Sequence, residues 1–586
     1  HRIDDQISTP FPCFYGGGGS CAFDRRKFLE LGGFDELLRP FYLEDTDVGY
    51  LAWKRGWKVL YQPRSIVYHE HRGTIGRKFS PGYIQSVLKK NFILFCWKNI
   101  HEWRRLGSHF FYTYADALLS VIFGDSPERA NLRGLCRASL QIAGALRSRW
   151  RARSLAVISD TEAFRRPLGG YFRDRFFRLD TEPHKLRTLF VSPYPICPPI
   201  HGGGVFMYQT SKELARLTEL HLIVLLDHPK ERKAHNELAE RCASAEFLVR
   251  MTGTGGFASL TPHAVNEFRN PELEWLVHRQ MFLKEIDVVQ LEYLTMGQYA
   301  GDYRQIPCIL FEHDIYFQSI GRQLPNVKTV TRKAKAMIEY LRAFRYELCL
   351  LPAMDRVQVC SRENGRHLLS FLPQLEGRID DGLRAGIDTA AYRYTPAGRT
   401  PNTMLFLGSF RHLPNQEALE WFTRRVLPLV LRKQPAAKLL VIGSDPPPRH
   451  SLAGEVHAIE LHGFVEDVRE PLSECALFVC PILSGSGVRV KLLEAFASGI
   501  PVVSTRIGAE GLATKDGDIC ALADGPEEFA RQIVELLNDP ARAEAMAARA
   551  HDYVVSERDM RMITRRLELN YREAVRRKRL QAFSEG

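Results

Sequence analysis

The residues with the clearest capacity for chemistry lie in the run SGSGVRVKLLE, residues 484–494. Gly485 and Gly487 belong to a loop of small residues that opens a predicted helix. Such a loop leaves backbone N–H groups unpaired where the helix dipole favours an anion. Arg489 and Lys491 add positive charge in the first turn. The run therefore predicts a binding site for a diphosphate, and a solvated helix face is the alternative.

A carboxylate completes this pattern. Glu494 lies one turn beyond Lys491 on the same predicted helix face, where its oxygens are suited to a pair of sugar hydroxyls. Gly499 and Pro501 then end the predicted helix, and a buried type of strand follows. Together these residues indicate a site for a sugar nucleotide.

Strands and helices alternate from residue 185 onward, which predicts the sheets that position these groups. Runs rich in β-branched residues, separated by helical stretches, indicate parallel strands buried on both faces. We therefore predict an α/β fold with two Rossmann-like lobes, joined near residues 380–400, whose ligand lies at the carboxyl ends of the strands. The predicted strands fall into two sets: residues 186–191, 220–226, 287–291 and 308–312, then residues 403–408, 438–442, 476–480 and 501–504.

The composition limits the class of protein. A chain of 586 residues, 45% hydrophobic and 25% charged, has the length of roughly two to four folded domains. Its 12 cysteines lack paired C-x-x-C spacing, which favours a reduced, cytoplasmic compartment. Every window of about 18 residues that is mainly apolar contains a charge, so a membrane-spanning helix is disfavoured.

The net charge of +12 is concentrated in one stretch of the sequence. Residues 72–156 hold 15 Lys and Arg against 4 Asp and Glu, interleaved with Phe, Trp and Tyr. Because no nucleic-acid motif accompanies them, we expect an anionic membrane surface as a partner, and no nucleic acid. A solvated helical face stays open as the alternative.

Residues from about 186 to 575 resemble glycosyltransferase family 4 in the order of their motifs. The resemblance implies the two-lobed GT-B fold and transfer of a sugar from a nucleotide-sugar donor, with retention of anomeric configuration. It implies no metal or other cofactor in this half. The similar pieces are SPYPICPPIHGGGVFMYQTSKELARL, FEHD, AGID, LFLGSFRHLPNQEALEWF and LHGFVEDVREPLSECALFVCPILSGSGVRVKLLEAFASGIPVVST.

The resemblance also implies roles for particular residues. Gly203 and Gly204 correspond to the loop that approaches the donor or acceptor, and His313 corresponds to a histidine that contacts the donor sugar. Arg411 and Asn415 correspond to the border of the donor phosphates. A plain strand-to-helix turn, a structural histidine, an exposed turn arginine and a helix cap are the respective alternatives.

The glycine loop and its helix have counterparts in the family as well. Arg489 and Lys491 correspond to groups that stabilise the leaving diphosphate, and Glu494 to a group that binds ribose or sugar hydroxyls. The loop of residues 485–487 corresponds to a contact with the nucleotide sugar. Many family members carry a second glutamate where this sequence has Ser486, so the donor sugar stays open.

Residues 1–103 resemble the acceptor-side half of glycosyltransferase family 2, which has the GT-A fold, through the pieces GGGGSCA, GGFDE, ED and PRSIVYH. The resemblance implies that Asp45 acts as base on the acceptor hydroxyl, with Asp47 as the alternative. It implies that His69, or His71 in its place, joins the shell of a divalent metal, Mg²⁺ or Mn²⁺, if the domain is complete. The nucleotide-binding half, with its Asp-x-Asp motif, is expected upstream of the given sequence.

These observations combine into one hypothesis with two alternatives. We predict a bifunctional, cytoplasmic glycosyltransferase, peripheral to the membrane, that serves polysaccharide assembly on a glycan or lipid-linked acceptor. Alternatively, the first segment is a non-catalytic docking module, or the GT-B half is a sugar-nucleotide epimerase or a binding scaffold. The predicted segments are a partial GT-A domain (1–103), a basic helical connector (104–184), the N-terminal lobe (185–380) and the C-terminal lobe with its terminal helices (381–586).

Overall fold

The computed structural model describes residues 7–68, 75–123, 132–199, 202–250, 260–327, 329–448, 456–465, 467–485 and 487–584. The chain forms two compact units, residues 1–178 with 275–285, and residues 179–274 with 286–586. The predicted metal ligand His69, its alternative His71, and Ser486 of the glycine loop lie outside the described residues. Within the described ranges, no helix combines the length and apolar character needed to cross a bilayer.

The first unit is mainly helical. Its short strands β1 (Phe11–Pro12) and β2 (Leu60–Tyr61) pair in antiparallel fashion. Aromatic side chains of several helices form one of its cores, in which Tyr50, Trp53 and Phe172 are buried. The helices are α1 (Arg25–Leu31), α2 (Glu44–Lys54), α3 (Ile75–Lys78), α4 (Pro81–Asn99), α5 (Trp103–Phe123), α6 (Leu132–Ser139), α7 (Ile142–Leu155), α8 (Asp160–Arg165), α9 (Gly169–Phe176) and most of α13 (Pro271–Leu283).

The second unit contains two parallel sheets, which confirms the predicted α/β class with two Rossmann-like lobes. Most of these strands are buried along nearly their whole length, as expected where helices cover both faces. The first sheet comprises β3 (Arg187–Ser192), β4 (Glu219–Leu226), β5 (Ser244–Val249), β6 (Val288–Glu292), β7 (Cys308–Glu312), β8 (Arg356–Val359) and β9 (Ile379–Asp381). The second comprises β10 (Thr400–Leu407), β11 (Lys438–Ile442), β12 (Ile459–His462), β13 (Cys475–Cys480), β14 (Val502–Ser504) and β15 (Ala521–Leu522).

Both sheets have a point at which the strand order reverses. The first runs β5-β4-β3-β6-β7-β8-β9, and the second runs β12-β11-β10-β13-β14-β15. The reversals lie between β3 and β6 and between β10 and β13. In open parallel sheets the crevice for a ligand lies at such a point, beyond the carboxyl ends of the strands.

Helices cover the two sheets, and the last one returns to the first lobe. Tyr571 of α24 donates a hydrogen bond to Gln290 of β6 at 2.6 Å, and Arg579 binds Asp287 at 2.8 Å. The helices of the first lobe are α10 (Gly202–Leu217), α11 (Asn236–Arg241), α12 (His263–Glu267), α14 (Tyr293–Met296), α15 (Tyr316–Gln323), α16 (Val330–Leu350) and α17 (Arg362–Phe371). Those that follow are α18 (Leu413–Trp421), α19 (Leu427–Lys433), α20 (Arg469–Glu474), α21 (Val490–Ser498), α22 (Pro526–Asn538), α23 (Pro540–Glu557) and α24 (Met560–Ser584).

Candidate active site

The N-terminus of α10 lies beside His313. Gly202, Gly203 and Gly204 form its first turn, the end of a helix that carries partial positive charge. A Cβ atom placed on Gly203 would lie 3.3 Å from Nδ1 of His313 and 1.7 Å from the hydroxyl of Tyr293. The glycine is therefore required for the close approach of the helix to the histidine.

Substitution of Gly203 tests this close approach. Tyr293 stacks on the His313 ring at 3.7 Å, so the tyrosine has little room to move away from a new methyl group. We expect Gly203→Ala to lower the free energy of unfolding by about 1–3 kcal/mol, the usual cost of overpacking. Urea unfolding measures the change. Gly463→Ala, where a Cβ would have no neighbour within 4 Å, is the matched control, and equal values for the two variants would contradict the prediction.

A buried chain of polar contacts, the relay from Arg384 through Glu292 to His313, orients the His313 ring. Nε2 of His313 lies 2.8 Å from a carboxylate oxygen of Glu292 at the end of β6. Arg384 binds both oxygens of that carboxylate, at 2.8 and 3.0 Å. Burial is the largest single influence and disfavours the charged form of Glu292, but Arg384 and His313 together outweigh it, so the pKa of Glu292 lies below its ordinary value. The ionised carboxylate then accepts a hydrogen bond from Nε2–H.

This relay determines what the other ring nitrogen can do. Burial lowers the pKa of His313, which favours the neutral imidazole. With the proton on Nε2, Nδ1 carries a lone pair and can accept a hydrogen bond. Nδ1 is buried and has no hydrogen-bond partner among the described residues. The first lobe thus presents one oriented acceptor next to the α10 N-terminus.

The start of α21 holds the cation Lys491. Its Nζ donates to the Leu407 carbonyl at 2.8 Å and to Oδ1 of Asn415 at 2.9 Å. Both partners lie at the carboxyl end of β10 or in the helix that follows it. Burial lowers the pKa of Lys491 to about 8. The ammonium group is consequently held in one position, and its protonation is sensitive to a nearby anion.

This pKa predicts a pH dependence of nucleotide binding. Protonated Lys491 attracts a diphosphate, and the proton is lost as the pH rises through about 8. We expect the Kd for a nucleoside diphosphate to rise by up to about tenfold for each pH unit above that value. Calorimetric titration measures it, and Lys491→Ala should bind weakly with little pH dependence over the same range. A wild-type profile as flat as that of the variant would contradict the prediction.

The glycine loop before α21 contacts the first lobe. Gly485 and Gly487 have φ values of 95° and 82°, in the region that favours glycine. A Cβ placed on Gly487 would lie 2.9 Å from the carbonyl oxygen of His313. Arg322 of α15 donates to the Gly485 carbonyl at 2.5 Å and binds both oxygens of Glu510 at 2.9 Å. A bidentate ion pair therefore joins the two lobes at this loop.

Arg489 lies in the same neighbourhood. Its guanidinium donates to the Ser484 carbonyl at 3.3 Å. Burial raises the pKa of Asp314, and the charges of Arg489 and Arg322 oppose that shift. Asp314 follows His313 directly, so the field of Arg489 reaches the carboxyl end of β7.

The N-termini of α10 and α21 meet across the two lobes. A Cβ placed on Gly202 would lie 3.3 Å from a methyl group of Val490, the first residue of α21. Both helix ends carry partial positive charge, and Lys491 and Arg489 add to it. The arrangement can bind an anionic group between the lobes and stabilise charge that develops on it.

The remaining residues predicted for the donor site occupy different settings. Glu494 accepts a hydrogen bond from the Tyr392 hydroxyl at 2.9 Å, and burial raises the pKa of Glu494. Asn415 orients Lys491 and donates to the Ser409 carbonyl at 2.8 Å, so it acts through the lysine. Arg411 is 74% exposed and pairs with Asp445. No contact of Arg411 supports a place for it at the predicted phosphate site.

Sequence reasoning missed Glu292, Arg384, Arg322 and Glu510. Glu292 carried one usable signal, because an acidic residue ends an otherwise apolar buried strand. The ion pair between Arg322 and Glu510 had no such signal, since the two residues are far apart in the sequence.

The predicted acceptor-side residues lie in the first unit. Asp45, in the first turn of α2, accepts a hydrogen bond from Gly18 N–H in the glycine cluster at 3.1 Å. Asp47 is fully buried and binds Lys98 Nζ at 2.6 Å, so it holds the unit together and is not accessible as a base. Asn91 donates to three carbonyls of the turn that precedes α2. That turn contains two non-glycine residues with positive φ, and strain of this kind is common near functional sites.

The divalent metal expected for a complete GT-A domain stays a prediction, because its predicted ligand His69 lies outside the described residues. In the described parts of the chain, no three His, Cys, Asp or Glu side chains converge as metal ligands. The proposed chemistry below therefore contains no step through a metal.

Comparison with known protein families identifies the class of the second lobe. Residues 401–539 match the family described as Glycosyl transferases group 1. The match extends over most of the second sheet and includes the glycine loop, α21 and the Lys491 site. This part of the second lobe is thus similar to the group 1 glycosyltransferases. The match does not extend to the first unit, so the GT-A resemblance stays a prediction.

Known proteins resemble parts of the chain. An uncharacterized 44.6 kDa protein in the cps region of Klebsiella pneumoniae is 26% identical over 171 residues, which are 27% of this chain and 43% of that protein. The GDP-mannose-dependent monoacylated alpha-(1-6)-phosphatidylinositol monomannoside mannosyltransferase of Corynebacterium glutamicum is 27% identical over 211 residues, 32% of this chain and 54% of that enzyme. The chain thus spans about half or less of these relatives. Sucrose-phosphate synthase from Thermosynechococcus elongatus, a solved structure, has 16% identity and a TM-score of 0.49 over 66% of this chain and 99% of its own.

Proposed function

We propose that the second unit transfers a sugar from a nucleotide-sugar donor to a glycan or lipid-linked acceptor. The observation that carries the proposal is Lys491, which is fixed at the start of α21 inside the matched glycosyltransferase segment and beside the N-terminus of α10. Sugar transfer leaves negative charge on a departing nucleoside diphosphate. Cations and helix dipoles that are already in place stabilise such charge without reorganisation.

Four of the predicted residues and the glycine loop have roles in this proposal. Lys491 and Arg489 neutralise the diphosphate, and the glycine loop brings backbone N–H groups close to it. Glu494 binds ribose or sugar hydroxyls with its carboxylate, which Tyr392 orients. Nδ1 of His313 accepts a hydrogen bond from a hydroxyl of the donor sugar, and the contacts of His313 with Glu292 and of Glu292 with Arg384 support this role.

The finer parts of the proposal rest on the motif resemblance and on two of the relatives. Retention of configuration rests on the resemblance of the motifs to family 4. Polysaccharide assembly gains support from a relative in a cps region, and a lipid-linked acceptor gains support from a relative named for a phosphatidylinositol mannoside. That relative is also named as GDP-mannose-dependent, which makes GDP-mannose a first donor to test.

The test is incubation of the protein with a panel of nucleotide sugars labelled in the sugar, followed by separation of the products. Transfer predicts release of nucleoside diphosphate together with a labelled glycan, or with free sugar when only water accepts. An epimerase would instead yield a labelled isomer of the donor or of its sugar. A binding scaffold would release nothing. Either of the last two results would contradict the proposal.

A second catalytic centre in the first unit is a separate proposal. The contact between Asp45 and the glycine cluster favours it, since two pieces of the family 2 resemblance meet there. Asp45→Asn should abolish a second transfer activity and leave donor turnover by the second unit unchanged. If both activities persist in the variant, Asp45 is not the acceptor base. If the unsubstituted protein shows one transfer activity only, the second centre is disproved and the first unit is a docking module.

A further inference from the structure

Helix α5 exposes an apolar face to solvent along its whole length. Trp103, Phe111, Tyr114, Leu118 and Val121 are each between 56% and 77% exposed. At 100° per residue these five positions fall within about 80° of the helix circumference. Ala117 lies about 40° beyond one edge of this arc and is buried, and Trp97 of α4 stacks on Phe110, about 20° beyond the same edge. One side of α5 therefore belongs to the core of the first unit, and the exposed arc has no cover among the described residues.

Helix α7 repeats the arrangement. Ile142, Leu146 and Trp150 lie at spacings of four residues and are between 52% and 77% exposed. Ala145 and Ala152 of the same helix are buried. Both helices pack against α4. Exposed apolar stripes on two helices that pack against the same helix are typical of a surface that binds a partner.

The charges on these helices indicate which kind of partner the apolar surface binds. Helices α5, α6 and α7 together contain eight arginines and one acidic residue, Asp116. Several of the arginines are exposed, among them Arg104, Arg147 and Arg153. An apolar face with aromatic rings and arginines beside it fits the boundary between acyl chains and anionic headgroups. A protein partner would need an acidic rim around an apolar patch, whereas a lipid surface supplies both features everywhere.

We propose that the exposed faces of α5 and α7 form an interfacial anchor that binds an anionic lipid surface. The aromatic and aliphatic side chains enter the headgroup region, and the arginines bind lipid phosphates. The helices lie in the plane of the surface, because neither is long and apolar enough to cross it. The anchor belongs to the first unit and does not depend on the proposed sugar transfer.

Vesicle sedimentation with the full chain tests the proposal. The protein should pellet with vesicles of phosphatidylcholine and phosphatidylglycerol, and much less with phosphatidylcholine alone. Binding should weaken as salt is raised, because salt screens exposed charges. Equal binding to the two kinds of vesicle, or no binding to either, would overturn the proposal.

Two pairs of substitutions separate the apolar from the charged contribution. Phe111→Ser with Leu118→Ser should reduce partitioning by roughly tenfold or more, because interfacial binding scales with buried apolar area. Arg147→Gln with Arg153→Gln should reduce it by about fivefold for each arginine. All four positions are exposed, so the variants should fold. Leu569→Ser and Arg362→Gln, exposed positions in the second unit, are the matched controls and should bind as the wild type does.

Sedimentation velocity without lipid distinguishes the competing occupant. If the apolar faces bind a second copy of the chain, dimerisation will depend on concentration and will be lost in Phe111→Ser with Leu118→Ser. That result would overturn the lipid anchor. A monomer that binds anionic vesicles through these residues supports it, and vesicle binding that the helix variants leave unchanged refutes it.

Discussion

Replacing Lys491 with alanine will lower kcat/KM for donor turnover by about 10²–10³-fold, the usual cost of removing one preorganised group that stabilises transition-state charge. The ammonium group is held by the Leu407 carbonyl and by Asn415 at the start of α21, so it needs no reorganisation when charge develops on the leaving diphosphate. Initial rates of nucleoside diphosphate release, with the best donor of the panel, measure the effect.

A second lysine of the same lobe provides the control. Lys438 lies on β11, is 63% exposed and pairs with Glu460 at 3.3 Å. Lys438→Ala should retain wild-type turnover. The assignment of Lys491 to the diphosphate would be wrong if both variants turned over donor equally well, or if Lys491→Ala lost activity only because it unfolded, which circular dichroism would detect.

Replacing Arg384 with methionine will lower the free energy of unfolding of the second unit by about 3–5 kcal/mol, the cost of leaving one partner of a buried ion pair uncompensated. Both partners are fully buried, and Arg384 also donates to Gln358 at 3.0 Å. After the substitution, the Glu292 carboxylate keeps hydrogen bonds from His313 and Gln290 but loses its cationic partner. Urea unfolding followed by circular dichroism measures the change.

An exposed ion pair is the matched control for this experiment. Arg411→Met removes a pair of similar length, 2.6 Å to Asp445, but at a solvated surface. Such a pair contributes at most about 1 kcal/mol. A loss for Arg384→Met as small as that for Arg411→Met would mean that the Glu292 carboxylate is not charged in the folded protein. The proton assignment on His313 would then fail as well.

Most of the fold of the second unit could be predicted from the sequence, because long apolar runs identify strands buried on both faces. The predicted strand 308–312 matches β7, and 438–442 matches β11. Three others differ by one residue at the start or end. The sequence analysis did not predict β5, β8, β9, β12 and β15. Most of these are short or only partly buried, so their composition does not distinguish them from loops.

The placement of α24 could not be predicted either. The sequence analysis assigned this helix to the C-terminal lobe, within residues 381–586. Its contacts with Gln290 and Asp287 on the first sheet depend on how the chain returns across the molecule. Local pattern carries no information about such a long-range contact.

In the candidate site, too, the residues that are close in sequence could be predicted, and the contacts between distant segments could not. The glycine loop and Lys491 are local in sequence, and a general rule about helix N-termini was enough to predict them. The roles of Asn415 and Arg411 depended on which groups surround them, and only the structure shows that one supports Lys491 and the other faces solvent. The relay from Arg384 through Glu292 to His313 joins residues from three separate stretches of the chain.

Sequence reasoning could predict part of the arrangement of the proposed acceptor-side residues in the first unit. Motif order brought Asp45 and the glycine cluster together, and the structure places them in contact. Asp47, the alternative base, could not be excluded until its buried contacts with Lys98 and Asn99 were known.

A crystal structure of the protein with a bound nucleoside diphosphate tests the central claim most directly. The nucleoside diphosphate that raises the melting temperature most is the one to use. The account predicts that the diphosphate lies within about 3 Å of Lys491 Nζ, with the N-termini of α10 and α21 directed at its oxygens. A diphosphate bound elsewhere, with Lys491 still engaged only by Leu407 and Asn415, would contradict it.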